Sequence, residues 1–130
     1  DLKRTTFRSG DRTLDNMLEE CRTKFSDRNP LVRREALERL WDAWERLKSL
    51  ADPRDKKQSI KIILDAVAAE PTLRSRLETE AVELTAIGNS HLIRHSEVNQ
   101  VAVIDVDHVD YLFHRLFAMI QLMLRRKGNA

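Results

Sequence analysis

The stretch from Asn29 to Leu50, NPLVRREALERLWDAWERLKSL, decides the fold class. Asparagine accepts hydrogen bonds from the free amides that open a helix. Pro30 then falls at the first helical position, where its missing N–H costs nothing. Behind them Leu37, Leu40, Trp41, Trp44 and Leu47 recur at intervals of three and four, the period of one buried helix face. The pattern predicts a helix over 30–50 with both tryptophans in a core rather than stacked on bases. Glu35 with Arg39, and Asp42 with Arg46, stand four apart on its outer side. Such pairs add only a few tenths of a kcal/mol each and mark a solvated face.

The same grammar continues on either side. Gly10 precedes a helix over 11–27 with Leu14, Met17, Leu18, Cys21 and Phe25 on its stripe. Asp52 and Pro53 repeat the cap-plus-proline signal ahead of a helix over 53–69 carrying Ile60, Ile63, Leu64 and Val67. Pro71 opens a fourth helix over 72–87 with Leu73, Leu77, Ala81 and Leu84, although Glu70 is a poor capping type. Gly88 is expected to end that helix in the left-handed conformation, and Gly128 to do the same for a fifth over 108–127, capped by Asp107. No Gly or Pro interrupts a helical run, so caps, breaks and periods agree. The expectation is an all-α bundle of about five helices, one domain over 11–130 behind a loose basic lead-in over 1–10.

The fifth helix differs from the rest. Val109, Tyr111, Leu112, Phe113, Leu116, Phe117, Met119, Ile120, Leu122, Met123 and Leu124 cover most of its circumference. At about 100° per residue, Asp110, His114 and Gln121 fall within about 40° of one another as a narrow polar stripe, and Arg115 lies alone on the apolar side. A helix apolar nearly all round is either central in its bundle or shared with a second subunit.

Composition excludes several classes. With 42% hydrophobic and 34% charged residues the chain is neither disordered nor membrane-spanning, its apolar runs falling far short of the roughly 20 residues a span requires. The start shows no signal peptide, and the absence of an initial Met suggests a piece of a longer protein. Cys21 is the single cysteine, so no internal disulfide forms; this suits a cytoplasmic protein, with Cys21 a core residue. The net charge of +2 neither demands nor excludes nucleic acid.

Chemistry concentrates between Gly88 and Asp107, a connection long enough to be functional. Asn89, His91, Arg94, His95, Glu97 and Asn99 crowd its first half. The β-branched, apolar run over 101–106 is expected to pin the segment to the core as a short extended piece. A polar surface loop with no function is the plainest account. Three functional ones compete with it. In metal-free RNA cleavage His95 serves as general acid–base and Arg94 holds phosphate oxygens, with Asn89 and Glu97 orienting them. In a metal site His91, His95 and Glu97 are the ligands, a spacing with no supporting Cys pair or H-E-x-x-H. The third is a docking surface for a partner protein or domain. Ser90 and Ser96 lack a nucleophile elbow, and no Gly-rich phosphate loop exists, so nucleophilic hydrolysis and nucleotide cofactors find no motif.

Leu84-Thr85-Ala86-Ile87-Gly88-Asn89, Ile93-Arg94-His95-Ser96-Glu97 and Val109-Asp110-Tyr111-Leu112-Phe113-His114-Arg115 together resemble the C-terminal domain of abortive-infection-type bacterial proteins, which is similar to the HEPN superfamily. The resemblance is best over 81–124. It implies an α-helical bundle, often a homodimer, in phage-defence or toxin–antitoxin proteins, many of whose relatives are metal-independent endoribonucleases. It therefore implies RNA as partner, no metal or other cofactor, and further domains elsewhere in a longer chain. The active superfamily pattern separates Arg from His by four to six residues, whereas Arg94 and His95 are adjacent and Asn89 stands six before His95. This leaves two alternatives: a rearranged catalytic pair, or a non-catalytic relative that binds RNA or a partner.

Overall fold

The computed structural model describes residues 7–91 and 101–125. Five helices follow one another: α1 Arg12–Phe25, α2 Pro30–Leu47, α3 Lys56–Val67, α4 Pro71–Ser90 and α5 Val106–Leu124, with no strand among the described residues. The chain is all-α, as its periodicity requires. No helix among the described residues is long and apolar enough to cross a membrane.

α1 and α2 form an antiparallel hairpin. Lys24 pairs with Glu35, Arg39 with Glu20 and Arg46 with Asp11, so partner numbers climb on one helix as they fall on the other. These cross-helix pairs replace the expected pairing of Glu35 with Arg39, because the neighbouring helix presents an opposite charge closer than the next turn does. Asn29 caps α2 through Leu31 N at 3.0 Å, with Pro30 at its first position.

Several helix boundaries move from their expected places. α2 ends at Leu47 rather than Leu50. α3 starts at Lys56, not Pro53: Asp52 and Pro53 form a turn closed by Asp55 N on Asp52 O at 3.2 Å, and Asp55 becomes the cap, accepting from Gln58 N at 3.1 Å. Glu70, despite its long side chain, caps α4 by reaching Thr72 N at 2.6 Å and Leu73 N at 3.1 Å. α5 begins at Val106 with Asp105, not Asp107, as its cap.

The tryptophans hold α4 against α2. Both are fully buried. Trp41 Nε1 donates to Leu84 O at 2.8 Å and Trp44 Nε1 donates to Thr85 Oγ1 at 3.1 Å, so each large apolar ring is buried without leaving its N–H unpaired. Lys48, only 4% exposed, donates to the same Thr85 Oγ1 at 2.7 Å and lies 2.6 Å from Glu45, which also takes Lys56 at 2.9 Å. Glu45 thus ties the end of α2 to the start of α3, and Lys48 carries the link on to Thr85 of α4.

α5 is central in its own bundle. Val109, Leu112, Phe113, Leu116, Phe117, Met119, Ile120, Met123 and Leu124 are all buried among the other helices. Arg115, expected to stand alone on the apolar side, instead sets two guanidinium nitrogens on Glu80 of α4 at 2.9 and 2.6 Å. Asp110 takes Arg33 at 2.6 Å, and the Arg33 guanidinium covers Phe25, whose ring stacks on Phe113 at 3.8 Å. Cys21 is fully buried in the α1 stripe, as a core residue.

Candidate functional site

The junction between α4 and α5 is built from the last turn of one helix and the first turn of the next. α4 does not stop at Gly88. The helix runs through it because the missing side chain makes room for Trp41: a Cβ there would overlap Cδ1 and Nε1 of the indole. The extra turn carries Asn89 and Ser90, and His91 caps it with its N–H on Ile87 O at 3.1 Å. Asn89 is therefore an exposed residue of a helix, not of a loop.

Two hydrogen bonds then join the chain to itself across ten and eleven positions. Val101 N donates to Ser90 O at 3.0 Å, and His91 Nδ1 meets Val101 O at 2.8 Å. A carbonyl oxygen only accepts, so Nδ1 carries the proton in this contact, and in the neutral ring Nε2 holds the lone pair. From Val101 the backbone crosses to Asp105, whose carboxylate caps α5 through Asp107 N at 2.8 Å. Val103 alone of this run turns inward, and its carbonyl accepts from Arg34 Nε at 2.8 Å. The expected pinning thus rests on one side chain and one carbonyl. Val101 is 66% exposed and Ile104 85% exposed, and the run has no strand partner among the described residues.

The crossing leaves an open groove of about 480 Å³ lined by Ile87, His91, Val101, Ile104, His108 and Tyr111. Its walls are mostly apolar, with two imidazoles, one phenol and the Asp105 carboxylate at its edges. A ligand site of ordinary size has this character. A smaller recess of about 120 Å³ on the other side of Val103 is bounded by Leu31, Arg34 and Val106. Leu31, Val101, Ile104, Val106 and Tyr111 are all substantially exposed in this one region.

Of the residues the sequence singled out, Arg94, His95 and Glu97 lie outside the described residues. Asn89 stands two residues before the His91 bond to Val101, on the last turn of α4. His91, a candidate metal ligand with His95 and Glu97, has its Nδ1 engaged by backbone. Among the described residues no group of three His, Cys, Asp or Glu is placed to hold a metal ion. Sequence reasoning missed His108 and Tyr111, which α5 brings to the groove from its first turns. The signal was present in their spacing: positions 108, 111 and 112 share one face of a helix that begins at Val106.

No family model, curated protein or solved structure matches the chain.

Proposed function

We propose that this chain is an RNA-directed, HEPN-like domain of a phage-defence or toxin-type protein, acting as a metal-independent endoribonuclease. Arg94 supplies the fork for phosphate oxygens and His95 the general acid–base, with Asn89 and Glu97 orienting them. The observation that supports the proposal is the geometry of the described α4–α5 junction on either side of residues 92–100. His91 and Val101, the described residues that flank that stretch, are joined by a hydrogen bond beside a groove of ligand size. Connections between rigid elements are where reactive groups concentrate. The resemblance over 81–124 centres on the same junction. Purified protein incubated with total RNA, with and without EDTA, tests the proposal: cleavage in both conditions supports it.

A second reading is a non-catalytic interaction or dimerisation domain of a larger protein. The five exposed side chains around Ile104 favour it. Large apolar groups exposed together in one region form the kind of patch that marks an interaction site. A second copy of this chain is the proposed occupant in both readings, since a homodimer needs only a patch complementary to itself. The patch carries Asp105 and His108 together at its border, so each copy offers an acid and an imidazole to the other.

A further inference from the structure

We infer that α3 and α4 open from the α1–α2–α5 core as one unit while that core stays folded. The opening is independent of whether the chain cuts RNA. Burial is the first observation. α5 buries nine of its 19 residues and α2 seven of its 18. α4 buries only Ala81, Leu84 and Gly88 of its 20, and α3 only Ser59, Ile63 and Leu64 of its 12. Leu84 is the one large side chain of α4 that is fully buried, with Leu77 and Ile87 half-buried beside the core. Helices with so little apolar anchorage belong to the low-stability end of a structure.

The ties are the second observation. α3 and α4 are joined to each other through Arg74, which pairs with Asp65 and donates from Nη2 to Lys61 O at 3.1 Å. Their ties to the core are largely polar: Trp41 on Leu84 O, Trp44 and Lys48 on Thr85, Lys56 on Glu45 and Arg115 on Glu80. On opening, water replaces each of these partners, so each adds little to closure. The third observation is chain order. α3 and α4 are consecutive, and units that open together are contiguous stretches of chain. The core keeps its own links without them. Lys24–Glu35 and Arg39–Glu20 join α1 to α2, and Arg33–Asp110 with the Phe25–Phe113 stack seats α5. Opening uncovers Trp41 and Trp44. It also takes apart the groove, which has Ile87 and His91 on one wall and His108 and Tyr111 on the other. Anything bound across both walls therefore holds the unit closed.

The test is hydrogen exchange of the whole chain, followed amide by amide in urea below the unfolding midpoint. The amides of α3 and α4 are expected to exchange through one shared opening, with protection roughly tenfold or more below that of α2 and α5. The indole N–H groups of Trp41 and Trp44 should exchange with them. Leu18→Ala weakens the α1 stripe, which the open form keeps. It is expected to lower protection in α1, α2 and α5 and to leave α3 and α4 unchanged. Cys21→Ala, a milder change on the same stripe, makes the same comparison if Leu18→Ala does not fold. Thr85→Val removes the acceptor shared by Trp44 and Lys48, a contact present only in the closed form. It is expected to lower protection in all five helices by the same factor. The inference is overturned if α3 and α4 are as protected as α2 and α5, or if the two helices exchange with different urea dependence. It is also overturned if the α1 substitution lowers α3 and α4 with the rest, or if the effect of Thr85→Val is confined to the core.

Discussion

Trp41 and Gly88 are matched: the indole of α2 occupies the volume that any side chain at position 88 of α4 would need. The ring has no room to withdraw, because its Nε1 is bonded to Leu84 O one turn away on the same helix. An alanine in a helix interior ordinarily gains about 1 kcal/mol over glycine. Here the overlap is with a buried, bonded ring, and forcing extra atoms into a packed core costs about 1–3 kcal/mol. Gly88→Ala is therefore expected to lower stability, read as a lower urea midpoint with an unchanged slope. A rise in the midpoint would show that the indole yields.

Acid sensitivity is expected to centre on Glu45. Burial raises its pKa, but Lys48 and Lys56 outweigh burial and hold the carboxyl below its usual 4.5. A depressed folded pKa gives stability that is complete above the unfolded value and is lost as pH falls through the folded one. Urea midpoints should thus decline as pH drops below about 5. Glu45→Gln should flatten part of that decline and cost on the order of 1–3 kcal/mol at neutral pH, since Lys48 is left buried without its acid. An acid limb of undiminished steepness in Glu45→Gln would count against this account.

Cys21 should be inert while the chain is folded. Burial, reinforced by the nearby Glu20 carboxylate, pushes its thiol up to about 12. The thiolate is the reactive form, so an aromatic disulfide reagent at pH 8 should label it only after denaturant is added. Rapid labelling of the native chain would mean that the α1 stripe opens.

The helices were largely legible because caps, prolines and periodicity point to the same spans in α1 and α2. Where they fell out of place, two equally competent signals competed and packing chose. Asp52 and Asp55 are both capping residues, and the turn closed at Asp52 gives the helix to Asp55. Asp105 and Asp107 are two apart, and the earlier one wins. Gly88 looked like a helix terminator because local sequence contains no trace of the indole that needs it. The junction was legible as a place and not as a geometry. Its polar residues stand out in composition, but the His91–Val101 bond joins positions ten apart, and no period announces such a contact. Most of the surplus of apolar residues on α5, a motive for expecting a subunit contact there, is buried inside the bundle, with Tyr111 left exposed. Five of the exposed large apolar side chains gather instead around Ile104, while Ile62, Leu73 and Val82 are exposed elsewhere.

Self-association should therefore follow Ile104 and Tyr111, not the middle of α5. Both side chains are more than half exposed, so Ile104→Glu and Tyr111→Glu are expected to fold normally. Sedimentation at tens of micromolar should show a dimer for the wild-type chain and monomers for both variants. A wild-type monomer, or variants that remain dimeric, would remove this face as the interface.

The central claim is metal-independent cutting of RNA by a pair carried at the α4–α5 junction. The most direct measurement follows cleavage of total RNA by the purified chain in EDTA, for wild type, Arg94→Ala and His95→Ala, with the product ends determined. The expected result is cleavage in EDTA that leaves 2′,3′-cyclic phosphate or 3′-phosphate ends. Each substitution should slow it on the order of 10²–10⁴, as loss of a general acid–base or of a transition-state charge partner requires. Wild-type cleavage that survives His95→Ala, or that stops when EDTA is added, would contradict it.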